Sequence, residues 1–280
     1  MPKRRGLIYK FFIILILFIA VAAGYYVFKK RPEKNIRKIL YRDYINIISY
    51  NINHAIGTDG NYSISRIIRA LRRKPSDLIF LFDVDYKLGR TFYDDQARII
   101  AANLGMEFTF GKLIEHDGGW NGFAILTRYP IEFSELQVNK EGNNITYGIL
   151  HATTKIGYKK IHSYGIYFLG DSSSFHDDFK KIIDLIMKRG INNYIVASTC
   201  FKNPPDDKIM SDMSYYLYEM SSARIDAESV DYVNDLVNIM NFIYINDYFE
   251  PVEFLIMNED IAQEASDYSP IWAKVKIKIE

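Results

Sequence analysis

The sequence has a single cysteine, Cys200, among 280 residues, so no disulfide can form within the chain. Its five histidines show no HxH or HExxH spacing, which argues against a zinc site of either pattern. The stretch GDSSS at 170–174 lacks the Gly-Lys-Ser/Thr element of a phosphate-binding loop, and it predicts a helix N-cap instead. Internal repeats and low-complexity segments are also absent. The rest of the composition, half apolar and a quarter charged, is that of a globular chain.

The net charge of +1 hides a strong asymmetry between the two ends of the chain. Residues 1–42 carry 11 Lys/Arg and one Glu, whereas the remainder carries 24 Lys/Arg and 33 Asp/Glu, a net of −9. Phosphate backbones need Lys or Arg to meet them, so we expect no nucleic-acid partner for the acidic body.

An uncharged run of 18 residues, 11–28, is the clearest feature of the basic segment. It is long enough for a membrane-spanning helix, which takes roughly 20 apolar residues. We therefore predict a basic N-terminus (1–10), a transmembrane anchor (11–28), a basic juxtamembrane linker (29–43) and a single domain (44–280). Membrane lipid would be the partner of the helix and of the linker, whose Lys and Arg suit anionic headgroups.

A cleavable signal peptide is the alternative, because Val21-Ala22-Ala23 resembles a cleavage site, and the body would then be secreted. For a retained single-pass anchor, the excess of positive charge after the run favours a cytoplasmic body. An outside body also stays open.

Beyond residue 44 the pattern alternates between strand and helix. Ser63 is a predicted cap for a helix with Ile64, Ile67, Ile68 and Leu71 on one face and Pro75 beyond its end. Further helices are predicted at 94–104, ended by Gly105, and at 175–189, with Phe179, Ile182, Ile183 and Ile186 inward. Strands are predicted at 45–52, 78–84, 123–127, 145–152, 160–168, 194–199, 242–246 and 271–279. The few helices between strands favour an α+β arrangement of packed sheets with helices outside. Residues 203–238, acidic and tyrosine-rich, are interpreted as a long insertion or an irregular excursion.

Six pieces of the sequence, in order, resemble the endonuclease/exonuclease/phosphatase superfamily. They are LFDVD (81–85), GFAILTRYPI (122–131), KIHSYGIYF (160–168), YIVASTCF (194–201), MNFIYINDYF (240–249) and SDYSP (266–270). They follow an opening segment, SYNINHAIGTDGNYSISRII, which resembles the first strand, loop and helix of the family. The resemblance covers residues 45–280. It implies a two-sheet sandwich flanked by outer helices, four layers in all, and Mg²⁺-dependent phosphoester hydrolysis.

The resemblance also implies which positions would form the active site. In the family a carboxylate pair and an asparagine hold Mg²⁺, a hard ion that prefers oxygen ligands. Histidines serve as acid/base and as donors to phosphate, and an aspartate orients the attacking water. Asn51 matches the family asparagine, and Asp83 stands where the metal-binding glutamate is expected. Asn51 and Asp83 would therefore be the metal positions.

The remaining positions depart from the family pattern. Tyr167 and Tyr268 replace the two histidines, Thr199 and Asn241 replace two aspartates, and Asp267 survives. A tyrosine, with a pKa near 10, stays neutral at pH 7 and cannot take a proton as imidazole does. We also expect Phe82, Phe123 and Phe201 to converge with the two tyrosines and make the pocket aromatic and smaller. Cys200 is expected to be a small buried apolar residue.

These departures predict a membrane-anchored pseudoenzyme that acts as a binding or scaffold module. On this hypothesis hydrolysis is lost, no catalytic residue or cofactor is assigned, and the protein partner is unspecified. The positions that would mark the former site are Asn51, Asp83, Tyr167, Thr199, Asn241, Asp267 and Tyr268. The alternative is an active Mg²⁺-dependent phosphodiesterase or phosphatase with a drifted site, which would retain the metal.

Overall fold

Alternating apolar side chains build two six-stranded sheets in the computed structural model of this chain. The structure describes residues 43–170, 182, 185–186, 193–202, 218–219, 241–257 and 260–278, all within the unit Arg42–Glu280. The strands are β1 (Tyr44–Asn51), β2 (Leu78–Tyr86), β3 (Glu107–His116), β4 (Gly119–Thr127), β5 (Ile131–Glu141), β6 (Asn144–Ile156), β7 (Lys159–Phe168), β8 (Tyr194–Phe201), β9 (Tyr218–Glu219), β10 (Asn241–Ile245), β11 (Phe249–Ile256) and β12 (Ile271–Ile277).

Each sheet contains one parallel pair among antiparallel neighbours. The first sheet has the order β11-β12-β1-β2-β4-β3, with β1 and β2 parallel, and the second has the order β5-β6-β7-β8-β10-β9, with β7 and β8 parallel. Because parallel strands run toward the same edge of a sheet, Asn51 at the end of β1 lies beside Phe82 of β2, next to Asp83. Phe168 and Phe201, the last residues of β7 and β8, also lie side by side.

The core between the two sheets takes one face of each strand. Phe80, Phe82 and Phe123 of the first sheet and Tyr167 and Val196 of the second are at most 1% exposed in this cluster. Full burial of such a side chain contributes roughly 1.5–3 kcal/mol each, so this layer supplies much of the fold's stability. The predicted two-sheet α+β sandwich is therefore confirmed.

Helices cover the outer face of the first sheet. They are α1 (Ile64–Leu71), α2 (Gln96–Leu104) and α3 (Asp260–Ala265). Ile67, Ile68 and Leu71 of α1 are buried, as their spacing predicted. The backbone of α2 ends at Gly105 with φ 65°, a left-handed conformation that glycine adopts without steric cost.

The cap predicted for α1 differs in detail. Ser63 does precede α1, but its side chain makes no capping hydrogen bond and lies 3.0 Å from the hydroxyl oxygen of Ser65. α2 is capped instead by Asp95, whose carboxylate accepts from the backbone N–H of Arg98 at 3.2 Å.

Several predictions fall largely outside the described residues. Ile182 and Ile186 of the predicted helix 175–189 are described, and both pack on the outer face of the second sheet. The segment 1–42 and most of 203–238 are not described. No helix in the ranges that the structure does describe is long and apolar enough to cross a membrane.

The sequence prediction missed strands β3, β5, β9 and β11 and helix α3. All four strands are the outermost strands of their sheets. β5 and β11 are mostly exposed or half-buried, so their sequences show little apolar alternation. The central strands were found because burial imposes the pattern on them.

Candidate functional site

The ends of β1, β2 and β8 bring three polar side chains from the two sheets together. The amide nitrogen of Asn51 donates to a carboxylate oxygen of Asp83 at 3.0 Å and lies 3.5 Å from the sulfur of Cys200. With Tyr167 and Tyr268, these residues form what we call the edge site. It joins Asn51, Asp83, Tyr167 and Tyr268 as the sequence predicted.

A β-bulge aims Asp83 at the edge site. The register of β2 against β4 shifts between Phe82 and Val84, so Asp83 is the extra residue, and its φ is 54°. Phe82 faces the core between the sheets, and Val84 packs under the helices of the other face. A bulge re-aims a side chain in this way, at the cost of a left-handed backbone at a non-glycine residue.

Asp267 is tied to the same loop by a second asparagine. The amide nitrogen of Asn53 donates to the Asp267 carboxylate at 2.9 Å, and the backbone N–H of Asn53 donates to the side-chain oxygen of Asn51, also at 2.9 Å. The hydroxyl of Ser266 donates to the backbone carbonyl of Asn51 at 2.8 Å. The loops after β1 and before β12 are thus held together.

Tyr167 is part of the core rather than an exposed donor. It is 1% exposed, and its ring meets Phe82 edge-on at 5.5 Å and Phe123 at 6.1 Å between centroids. Burial, followed by the charge of Asp83, holds the pKa of the Tyr167 phenol well above its usual value. This side chain stays a neutral phenol at every physiological pH.

Tyr268 and Cys200 are also held in their neutral forms. Burial raises the pKa of the half-buried Tyr268, and the carboxylate of Asp83 adds to the effect. Cys200 is fully buried, and burial with the charge of Asp83 raises the pKa of its thiol well above the usual value. Cys200 is buried as predicted, but it contacts Asn51 as well as filling space.

The placement of Thr199 and Phe201 in the site was wrong. Phe201 stacks on Phe168 at 4.7 Å in the cluster on the outer face of the second sheet. Thr199 lies two residues before it on the same face, because side chains alternate along a strand. Ser198 and Cys200 face the first sheet instead, and Ser198 donates to Ser49 at 2.7 Å. Shifting the alignment with the family by one residue would move the aspartate position to the inward face of the strand. The inward residues, Ser198 and Cys200, are not carboxylates either.

Asn241 begins β10 directly opposite Cys200 and shares its face of the sheet. It is 0% exposed, and within the described part of the chain neither its side-chain nitrogen nor its side-chain oxygen has a hydrogen-bond partner. Leaving such a group unpaired in the interior costs about 1–3 kcal/mol. Asn241 therefore adds an unsatisfied amide, and no charge, where the family pattern has an aspartate.

The donor set of the edge site does not fit Mg²⁺. The ion requires near-octahedral oxygen ligands. The amide oxygen of Asn51 already accepts from Asn53, and its amide nitrogen, not an oxygen, faces Asp83. Asp267 is bound by Asn53. Among the residues that the structure describes, no three His, Cys, Asp or Glu side chains gather in a metal-binding arrangement. The predicted metal pair thus offers one carboxylate, Asp83, and Asn51 already donates to it.

A second polar cluster, which the sequence prediction missed, surrounds Asp85. The Asp85 side chain is 0% exposed and accepts from Arg90 twice, at 2.6 and 2.7 Å, and from Asn121 at 3.1 Å. Nδ1 of His54 lies 3.0 Å from the same carboxylate. Burial alone would raise the pKa of Asp85, but hydrogen bonds from Arg90 and His54 outweigh it and lower the pKa to about 2. We call these four residues the Asp85 cluster.

Gln96 ties the Asp85 cluster to the loop of the edge site. Its side-chain oxygen accepts from the backbone N–H of Asp85 at 2.7 Å, and its nitrogen donates to the carbonyl of His54 at 2.6 Å. Asn53, His54 and Ala55 all have φ between 44° and 59°. Three successive left-handed residues are unfavourable, so the loop depends on these bonds.

The sequence contained a weak signal for the cluster. Asp85 is the last residue of LFDVD and Gln96 lies in the first turn of the predicted helix 94–104, but Arg90 sits in a one-turn 3₁₀ helix, Gly89–Thr91, that no periodic pattern marks. His54 is one of the five histidines without zinc-site spacing, and its Nδ1 lies 3.0 Å from the Asp85 carboxylate. What the sequence could not show is that His54 and Arg90 contact the same buried carboxylate.

Comparison with known proteins supports the fold. No family model matches the sequence, and no curated protein matches it significantly. Among solved structures, an endonuclease/exonuclease/phosphatase from Beutenbergia cavernae DSM 12333 is 15% identical over 84% of this chain and 72% of its own, with a TM-score of 0.64. A family protein from Leptotrichia buccalis C-1013-b is 16% identical over 84% of this chain and 100% of its own, with a TM-score of 0.64.

The catalytic domain of human Nocturnin, solved with a bound sulfate anion, is also similar. It is 14% identical over 84% of this chain and 94% of its own, with a TM-score of 0.63. At these identities the likeness concerns the fold alone. The chain therefore has the endonuclease/exonuclease/phosphatase fold, as the six sequence pieces indicated.

Proposed function

We propose that this chain is a binding module on the endonuclease/exonuclease/phosphatase fold and does not hydrolyse phosphoesters. The observation that carries the proposal is Tyr167. It stands where the resemblance implies a histidine, and its ring is packed against Phe82 and Phe123 with 1% exposure. A neutral, buried phenol cannot exchange protons with a substrate at pH 7.

The donor set supports the same conclusion. Asn51 and Asn53 each present amide hydrogens to a carboxylate, Asp83 and Asp267, where a metal ion would need open oxygens. Loss of one positioned acid or base typically reduces a rate by ~10²–10⁴. A site without its imidazoles and without a fitting metal position retains little of that chemistry.

An anionic ligand suits the module better than a metal–substrate complex. The Nocturnin domain, whose fold is similar, holds a sulfate anion. In this chain, Arg90 and His54 supply cationic or hydrogen-bonding nitrogen atoms at the Asp85 cluster, and Arg90 is close enough to Asp83 of the edge site to feel its charge. Similarity of fold does not identify a ligand, so the support for an anionic ligand comes from these two side chains.

Hydrolysis assays test the proposal. The full chain, purified in mild detergent, would be incubated with a phosphodiester and a phosphomonoester in the presence of Mg²⁺ or Mn²⁺. The matched control is the double variant Asp83→Ala/Asp267→Ala. We expect equal, background-level product from both proteins. Turnover by the parent that disappears in the double variant would overturn the proposal.

A second candidate is an active phosphoesterase with a drifted site, and the His54–Asp85 pair favours it. A buried carboxylate that orients an imidazole is a common arrangement for proton transfer. On this hypothesis His54 takes over from the missing histidines. Hydrolysis that is lost in His54→Asn would support this candidate and would exclude the binding module.

We also propose that residues 11–28 anchor the module in a membrane, with lipid as the partner of the basic linker 29–43. The support is the uncharged run and its flanking Lys and Arg. Alkaline carbonate extraction of membranes tests the anchor. The chain should stay in the pellet, and release of the chain, or removal of the segment during secretion, would contradict the proposal.

A further inference from the structure

Arg90 and His54 are both fixed in place by the buried Asp85 carboxylate. Nε and Nη2 of Arg90 donate to Asp85, and Nδ1 of His54 lies 3.0 Å from it. The Asp85 carboxylate also accepts from Asn121 and lies 3.4 Å from the Thr91 hydroxyl, so its oxygens are fully occupied. The Asp85 carboxylate therefore fixes the positions of these neighbouring side chains.

Each of the two held side chains keeps one nitrogen without a protein partner. Within the described ranges, no group accepts from Nη1 of Arg90 and none meets Nε2 of His54. The side chains are 39% and 19% exposed, respectively, so both reach solvent. Two oriented nitrogens at an open edge are well suited to a ligand that accepts hydrogen bonds.

The backbone beneath His54 is strained, and the same network holds it. Asn53, His54 and Ala55 have φ of 44°, 58° and 59°. Gln96 binds the carbonyl of His54 and the N–H of Asp85. Strained residues that their surroundings over-determine cluster at ligand sites, because strain fixes side chains in directions that relaxed loops do not offer.

The charge around the two nitrogens is mixed. Arg90 neutralises Asp85, and the ammonium groups of Lys87 and Lys112 lie 5.3 and 5.2 Å from the ring of Tyr86, the residue next to Asp85. Asp83 is also close enough to Arg90 to add to the rise in its pKa that Asp85 causes. Because side chains alternate along a strand, the ring of Tyr86 and its two lysines lie on the other face of the sheet from Asp85. Arg90 is therefore the cation of the pair, and Asp83 is the opposing charge.

From this geometry we propose that Arg90 and His54 are the ligand-contacting pair of the module and bind an oxyanion, namely the phosphate group of a phosphorylated ligand. Arg90 would donate from Nη1 to one oxygen, and His54, in the form that carries a hydrogen on both ring nitrogens, would donate from Nε2 to another. Asp85 is then a positioning residue that touches no ligand. The inference rests on the proposed function, because it names the ligand class that the module would bind without hydrolysing.

Titration calorimetry and thermal unfolding of the full chain in mild detergent test this pair. The probes are inorganic phosphate, a soluble phosphomonoester, and phosphatidylcholine vesicles with or without phosphatidic acid. Binding of the soluble probes would assign a free phosphorylated molecule. Binding to phosphatidic acid vesicles alone would assign a lipid headgroup. Both results support an oxyanion site if they depend on Arg90.

Four variants separate the roles. Arg90→Gln should weaken phosphate binding by about tenfold or more, as expected when a charge-assisted hydrogen bond is lost. Arg90→Lys keeps the charge opposite Asp85 but lacks the fork, so it should also bind weakly while remaining folded. His54→Asn suits the left-handed φ and should weaken binding too. The matched control is Arg98→Gln, which removes an exposed arginine of α2 and should bind like the parent.

The fourth variant, Asp83→Asn, gives a test in the opposite direction. It removes the opposing charge and should tighten phosphate binding several-fold, whereas a cation site would lose affinity. The proposal fails if no phosphate probe binds, if the Arg90 variants bind like Arg98→Gln, or if Asp83→Asn binds more weakly. Hydrolysis measured on the same samples is a separate outcome. Product release would refute the binding module while leaving the assignment of Arg90 and His54 intact.

Discussion

The Asp85 cluster predicts a pH-dependent contribution to stability that a single substitution should remove. The pKa of Asp85 falls from 3.8 to about 2 on folding, because the hydrogen bonds of Arg90 and His54 outweigh its burial. A pKa difference of this size corresponds to about 2 kcal/mol of stability for the ionised form. Because the pKa is lowered in the folded state, this stability is complete above pH ~4 and is lost as the pH falls towards ~2.

The perturbation is Asp85→Asn, which keeps the shape of the side chain and removes its charge. At pH 7 the variant should unfold at a temperature about 4–8 °C lower, since 1 kcal/mol corresponds to ~2–4 °C in a domain of this size. The difference from the parent should shrink as the pH falls from 4 to 2, because Asp85 of the parent is then protonated as well. Other carboxylates titrate equally in both proteins and cancel.

Circular dichroism melting curves of parent and variant between pH 2 and 7 measure this difference. The control is Asp117→Asn, which makes the same chemical change at an exposed turn residue with φ 47° and should have little effect. The reasoning about the cluster is refuted if Asp85→Asn melts with the parent at pH 7. It is also refuted if the gap between the two proteins is the same at every pH.

Three further outcomes follow from the packing. Tyr167→Ala should destabilise the fold by about 3–5 kcal/mol in urea titrations, because a large buried ring is lost, and a change below 1 kcal/mol would contradict its place in the core. Gly122→Ala should reduce stability by at least ~2 kcal/mol, because the new Cβ would overlap the carbonyl oxygen of Gly111, and an unchanged melting temperature would show that this approach is looser than described. Cys200 should resist thiol reagents in the native protein and react after unfolding, because it is buried and its thiol pKa is raised, and rapid native labelling would be inconsistent with that burial.

The sequence predicted the central strands and helices α1 and α2, because burial imposes a regular apolar pattern on them. Ile45 to Asn51 and Leu78 to Val84 are almost continuously buried, and their apolar runs ended within two residues of β1 and β2. The edge strands carry no such pattern. β5 has no buried residue, and its apolar residues alternate only in two short pieces, Ile131 with Phe133 and Leu136 with Val138.

At the candidate site, the sequence located the loops but not all of the side-chain directions. Asn51 and Asp83 contact each other, as the resemblance implied. Asp83 reaches Asn51 through a β-bulge, which no pattern in LFDVD predicts. Thr199 was placed on the wrong face, because a shift of one residue in the register turns every side chain of a strand to the other face. The His54–Asp85 contact joins residues 31 apart, and only the parallel pairing of β1 and β2 brings them together.

The most direct test of the central claim follows binding and hydrolysis in one sample by ³¹P NMR. A soluble phosphomonoester would be mixed with the full chain in mild detergent, with Mg²⁺ present, and its phosphorus resonance observed over time. The account predicts that the resonance broadens or shifts and that no inorganic phosphate signal grows in. Growth of that signal with the parent, and its absence with Asp83→Ala/Asp267→Ala, would show that the edge site is a working phosphoesterase.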